Sequence, residues 1–136
     1  MSVTLLAGIS RTTEPQAMLR RFLALDATVT GVNGLAYVTS SGPLGRLLGI
    51  DGTFLFGVGV FLVLFAAGVG LLANRRQAPR PAVKVVVEAN LLWAVLSVAA
   101  LLFWFGPTTA GAVWIPAQAL TVAGFAVLQW SALRRI

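Results

Sequence analysis

Four apolar runs, separated by short glycine-rich or basic breaks, make up the chain, and the first of them is the least uniform. Residues 22–40, FLALDATVTGVNGLAYVTS, are long enough to cross a bilayer yet hold Asp26, Thr30, Asn33 and Tyr37. At about 100° per residue these four positions fall within a sector of roughly 60° on one helix face. A polar stripe on a spanning helix has to face other helices or a wet cavity, because lipid satisfies neither an amide nor a carboxylate.

The helix carrying this stripe is expected to begin at Thr13-Glu14-Pro15-Gln16, which matches a capping box, with residues 1–12 disordered or lying on the membrane surface. Residues 41–52, SGPLGRLLGIDG, predict a short amphipathic turn at the interface with Arg46 among the headgroups, and Asp51 or Thr53 as cap of the next helix. The second run, 53–73, has no charge. Its Gly57, Gly59, Ala66, Gly68 and Gly70, with Ala66 and Gly70 at small-xxx-small spacing, predict a close packing surface. Two prolines and three arginines in NRRQAPRP then break the chain. The third run, 83–105, includes Glu88, Asn90, Trp93 and Ser97; the turn Gly106-Pro107-Thr108-Thr109 makes it an antiparallel neighbour of the fourth, 110–133, which contains Pro116.

The predicted fold is all-α: one integral membrane four-helix bundle over residues 1–136, up-down-up-down, with spans near 20–40, 53–73, 83–105 and 110–133. Nine of the ten Lys and Arg residues fall on the side of the termini and only Arg46 opposite, so the positive-inside rule predicts both termini cytoplasmic, in a bacterial inner membrane. The basic residues Arg11, Arg20 and Arg21 follow the apolar MSVTLLAGIS run instead of preceding it, so this segment does not read as a signal peptide and is expected to be retained. Tyr37, Trp104, Trp114 and Trp130 sit near helix ends, as interfacial belts do, whereas Trp93 lies deeper and its indole N–H needs a partner inside the bundle.

Composition sharpens this picture. The chain is 58% hydrophobic and 10% charged, against about 25% charged in soluble domains. Its net charge of +6 therefore reads as a topology signal and not as a nucleic-acid footprint. Cysteine and histidine are absent, which removes the usual ligands of haem, zinc and iron–sulfur centres and the commonest general base. No cofactor, metal site or enzymatic turnover is expected.

Counting rise from the basic end puts Asp26 and Glu88 in one layer, Asp26 pairable with a basic side chain such as Lys84 or Arg134 and Glu88 with Lys84 one turn back, and the two, if close to each other, expected to retain at least one proton. Asn90 and Gln129 lie near that layer; Asn33, Gln118 and Thr121 are closer to the middle. Three helices thus present polar or aromatic stripes to one cavity, with the glycine-rich helix behind it or against another subunit. The predicted ligand-binding residues are Asp26, Thr30, Asn33, Tyr37, Glu88, Asn90, Trp93 and Gln118, and two carboxylates beside an aromatic wall would suit a small cationic amphiphile. The pattern predicts a small-molecule or lipid-binding membrane protein, a transporter or transporter subunit. The alternative is a non-catalytic accessory protein that meets itself or a larger membrane complex through the glycine-rich second helix.

Residues 25–49, LDATVTGVNGLAYVTSSGPLGRLLG, resemble the opening of small four-span integral membrane proteins of high-GC bacteria, and the overall layout is similar to DoxX-like membrane proteins. The resemblance implies a four-helix bundle in a bacterial inner membrane. It implies no activity and carries no catalytic residues across.

Overall fold

The computed structural model describes residues 2–103 and 106–135, with side chains from Gln16 onward. All secondary structure among these residues is helical: α1 (Ser2–Thr39), α2 (Ser41–Leu48), α3 (Gly52–Ala73), α4 (Arg80–Phe103) and α5 (Thr109–Arg134). Trp104 and Phe105, the latter the expected end of the third span, lie outside the described residues, as do the side chains of the 13–15 capping-box positions.

Three of these helices, α3, α4 and α5, are long and apolar enough to cross a membrane. Helix α1 is the longest at 38 residues, but Asp26, Asn33 and its threonines dilute its hydropathy. The outward faces of the long helices are apolar, with Leu64, Leu71, Val95, Leu102 and Leu120 exposed to the surroundings.

Two local expectations are corrected. Helix α1 starts at Ser2, ahead of the capping box, and runs through Pro15, so residues 2–12 are neither disordered nor separate from the helix; a cap signal favours a start but does not forbid an earlier one. The 41–52 segment is more than a turn. Eight of its residues form α2, which turns Gly45 and Leu48 inward and Arg46 and Leu47 outward. Gly49 ends α2 in the left-handed conformation at φ 74°, its N–H bonded to the Gly45 carbonyl at 2.9 Å. Asp51 caps α3, its carboxylate accepting from the Phe54 N–H at 3.1 Å.

Helix α3 runs antiparallel to α1 and packs on it along its length through small residues. A Cβ on Gly59 would sit 2.8 Å from the Gly34 carbonyl oxygen, and one on Gly34 would sit 2.9 Å from that of Gly59, so the two backbones cross in direct contact. Gly31 opposite Ala66 and Gly70 opposite Ala27 continue the seam. The small stripe on α3 is thereby occupied within the chain, whereas Gly57 and Gly68 face open space.

Helix α5 is antiparallel to both α4 and α1. Arginines close the helix ends on the basic side: Arg20 Nε donates to the Ala73 carbonyl at 2.9 Å, and Arg80 Nη1 to that of Leu133 at 3.2 Å. On the opposite side the N-cap of α5, Thr108, donates its hydroxyl to the Leu47 carbonyl and its N–H to that of Leu48. Only glycine fits at Gly111, whose Cβ would lie 2.1 Å from the Leu48 carbonyl oxygen.

The order around the molecule is therefore α3, α1, α5, α4. One buried cluster, around Leu19, Leu23, Val69, Val83 and Leu133, fills the basic end; a smaller one, Tyr37, Leu55 and Leu62, fills the α2 end. Helices α3 and α4 barely touch, and between the two clusters the interior stands open on their side.

Candidate functional site

The opening between α3 and α4 leads into a groove of about 580 Å³. Its walls are apolar, with Phe54, Phe61 and Phe65 from α3 and Leu92 and Leu96 from α4. Its polar lining is confined to Thr30 and Asn33 of α1, Asn90 and Trp93 of α4, and Gln118 of α5. A second cavity of about 290 Å³ continues toward the α2 end, sharing Asn33, Trp93 and Gln118 and adding Tyr37, Ser97 and Trp114. The glycine-rich helix is thus a wall of the cavity and does not stand behind it. Its small residues bring it so near α1 that its phenylalanines reach the groove.

At the inner end of the groove Asp26 is completely buried and accepts three hydrogen bonds. Thr30 Oγ1 donates to Oδ1 at 2.9 Å; Asn90 Nδ2 and Gln129 Nε2 each donate to Oδ2 at 2.8 Å. Asn90 Nδ2 also reaches Gln129 Oε1 at 3.1 Å. Helices α1, α4 and α5 are tied together at this one point. All three donors are neutral, and no cation pairs with Asp26 among the described residues, so the pairing with Lys84 or Arg134 is not formed; both basic side chains are exposed at the helix ends. In a buried setting each of these polar groups would be costly alone and is satisfied only by the set.

Midway along the groove Trp93 donates its indole N–H to Gln118 Oε1 at 3.0 Å, and Gln118 Nε2 donates back to the Ile115 carbonyl at 3.0 Å. Trp93 stacks on Phe61 of α3, centroids 5.8 Å apart and planes inclined by 15°, and this pair bridges the α3–α4 gap. Beyond it, Trp114 Nε1 donates to Tyr37 Oη at 2.7 Å. Asn33 is the exception: half-buried and lining both cavities, its amide has no hydrogen-bond partner among the described residues.

Of the residues singled out from the sequence, the structure brings Asp26, Thr30, Asn33, Tyr37, Asn90, Trp93 and Gln118 to the groove or its ends. It does not bring Glu88. That side chain is exposed on the outer side of α4, beside Lys84 and Trp130, so the two carboxylates share a depth but not a face. Asn90 lies two residues on, about 200° around the helix, and takes the inward position. Thr121 also faces outward and bonds its own helix at the Ala117 carbonyl.

Three contributors are absent from the residues predicted to bind. Gln129, noted at the right depth, shares a helical face with Gln118 and Phe125 and so was within reach of the pattern. Trp114 fits an interfacial belt equally well. Phe61 gives no signal, since a phenylalanine in a uniformly apolar run is ordinary lipid-facing sequence. Comparison with protein-family models, with curated proteins and with solved structures gives no match to this chain.

Proposed function

We propose that this is a four-span protein of the bacterial inner membrane, α1, α3, α4 and α5 crossing up-down-up-down with both termini cytoplasmic, and that the groove binds a small lipophilic molecule carrying an uncharged hydrogen-bonding group. Orientation is supported by charge: Arg20, Arg21, Arg75, Arg76, Arg80, Lys84, Arg134 and Arg135 belong to the helix ends and loop of one side, Arg46 to the other. The observation that carries the binding reading is the unpartnered amide of Asn33 at the floor of an apolar groove that opens sideways, between two helices, toward the lipid phase. Such a site takes its ligand from the membrane and orients it by one or two hydrogen bonds.

The cationic amphiphile favoured by two carboxylates loses its support here. Glu88 points away, and Asp26 is enclosed by Thr30, Asn90 and Gln129 and does not line the groove. What the groove offers is amides and an aromatic wall, the chemistry for a neutral ester, alcohol or carbonyl on an acyl or prenyl chain. Translocation along the groove is favoured as a second step by the shared lining of the two cavities, which together run from the Asn90 layer to the Tyr37–Trp114 pair.

Native mass spectrometry of protein released gently from membranes tests the binding reading. The wild type is expected to retain a neutral lipophilic molecule; Asn33→Leu should reduce its occupancy about tenfold, the equivalent of one lost hydrogen bond of about 1.4 kcal/mol, and Glu88→Gln should leave it unchanged. A wild type that is folded and empty would sink the reading and move it to an accessory protein without a ligand.

A further inference from the structure

Of the small residues of α3, Gly59, Ala66 and Gly70 are engaged by α1, and a further exposed face of different chemistry lies on α4. On the outer side of α4, Lys84 and Glu88 stand one turn apart, both exposed, and neither forms a hydrogen bond or ion pair with another described residue. Glu88 is about 12 Å along α4 from Arg80, too far in for its short side chain to reach the headgroups as Lys84 can. A carboxylate facing acyl chains without a partner is unfavourable, and such residues usually mark a contact. The two side chains border a hollow of about 330 Å³ between α4 and α5, whose remaining walls include Leu91, Val127 and Trp130.

We infer that this α4–α5 face binds a second copy of the chain. The inference rests on α4 being a spanning helix and is independent of what fills the α3–α4 groove. The face is complementary to itself. About a two-fold axis along the membrane normal equal residues lie at equal depth, and the long Lys84 side chain of each copy reaches one turn inward across the seam to Glu88 of the other, so one pair of residues supplies two diagonal ion pairs, as isologous contacts do. The hollow beside them accepts an apolar side chain from the facing helix. A phospholipid fits the charges less well: the acid lies deeper than the base, whereas a zwitterionic headgroup carries its ammonium outside its phosphate.

The chain has no cysteine, so Leu91→Cys, one turn beyond Glu88 on the same face, gives a single cross-linking position. In native membranes a short bis-maleimide should link Leu91→Cys protein into a dimer. Adding Glu88→Lys, which sets two lysines against two lysines, should lower the yield at least tenfold, and the swap Lys84→Glu with Glu88→Lys should restore it. On the Leu91→Cys background, chains with Lys84→Glu and chains with Glu88→Lys, tagged differently and expressed together, should link to each other in preference to themselves. Equal yields in all backgrounds would overturn the interface. So would membrane-integrated protein that gives no dimer, including a monomer that holds a phospholipid lost in Glu88→Lys. Recovery of the chain in the soluble fraction would instead overturn the spanning reading.

Discussion

Replacing Asp26 with leucine is expected to cost about 3 kcal/mol and to lower the melting temperature of the detergent-solubilised protein by about 10 °C, read by circular dichroism. The carboxylate is the common acceptor for Thr30, Asn90 and Gln129, and each donor stranded without it loses its bond and keeps its desolvation penalty. Asp26→Asn retains one acceptor oxygen and is expected to cost about 1 kcal/mol. The combination Asp26→Leu with Asn90→Leu and Gln129→Leu should recover part of the loss, because it removes both amide partners and leaves only the Thr30 hydroxyl without its acceptor. Equal stability of Asp26→Leu and wild type would mean that water reaches the cluster and that it does not tie the helices.

The second large effect is steric. Gly59→Ala places a methyl 2.8 Å from the Gly34 carbonyl oxygen and from Tyr37 Cβ, contacts that only a shift of the α1 backbone can relieve. A loss of about 2 kcal/mol is expected, in the range of overpacked cores. Gly57→Ala, on the opposite face of the same helix, meets nothing within 4 Å and should be neutral or stabilising, since alanine is the better helix former by up to about 1 kcal/mol. If both substitutions behaved alike, the Gly34–Gly59 crossing would not be the contact that sets the α1–α3 distance.

Much of this was written in the spacing of residues along single helices. The period that puts Asp26, Thr30, Asn33 and Tyr37 on one face of α1 is geometric, and all four turn inward or half-inward. The face shared by Asn90, Trp93 and Ser97 was equally readable. Glu88 shows how depth misleads when angle is ignored: rise along α4 sets it level with Asp26, but its rotation from Asn90 and Trp93 already excludes it from their face. Between helices the sequence is silent. Nothing in a hydropathy pattern says that α3 lies on α1, that α3 and α4 part, or that Phe61 crosses that gap to Trp93; neighbour choice depends on three-dimensional fit at Gly34, Gly59 and Gly111, which no periodicity encodes. Helix α2 was half legible for the opposite reason, as its glycines and proline look like a turn until Gly49 supplies the cap that closes a short helix.

Helices consecutive in the chain, α3 and α4, are the ones that scarcely meet, and this makes the polypeptide two separately built halves. The first, α1 to α3, closes on itself through the glycine seam and the Arg20 bond to Ala73; the second, α4 and α5, closes through the Arg80 bond to Leu133. What joins them is not the link between Asn74 and Pro79 but the buried cluster of Leu19, Leu23 and Val69 with Val83 and Leu133, the Phe61–Trp93 stack, and the bonds of Asp26 with Asn90 and Gln129, Tyr37 with Trp114, and Thr108 with Leu47. A break between Arg75 and Arg76, both exposed, leaves every one of these contacts intact. Fragments 1–75 and 76–136 made as separate polypeptides in the same cell are expected to find each other in the membrane and co-purify, and Asp26→Leu is expected to prevent it.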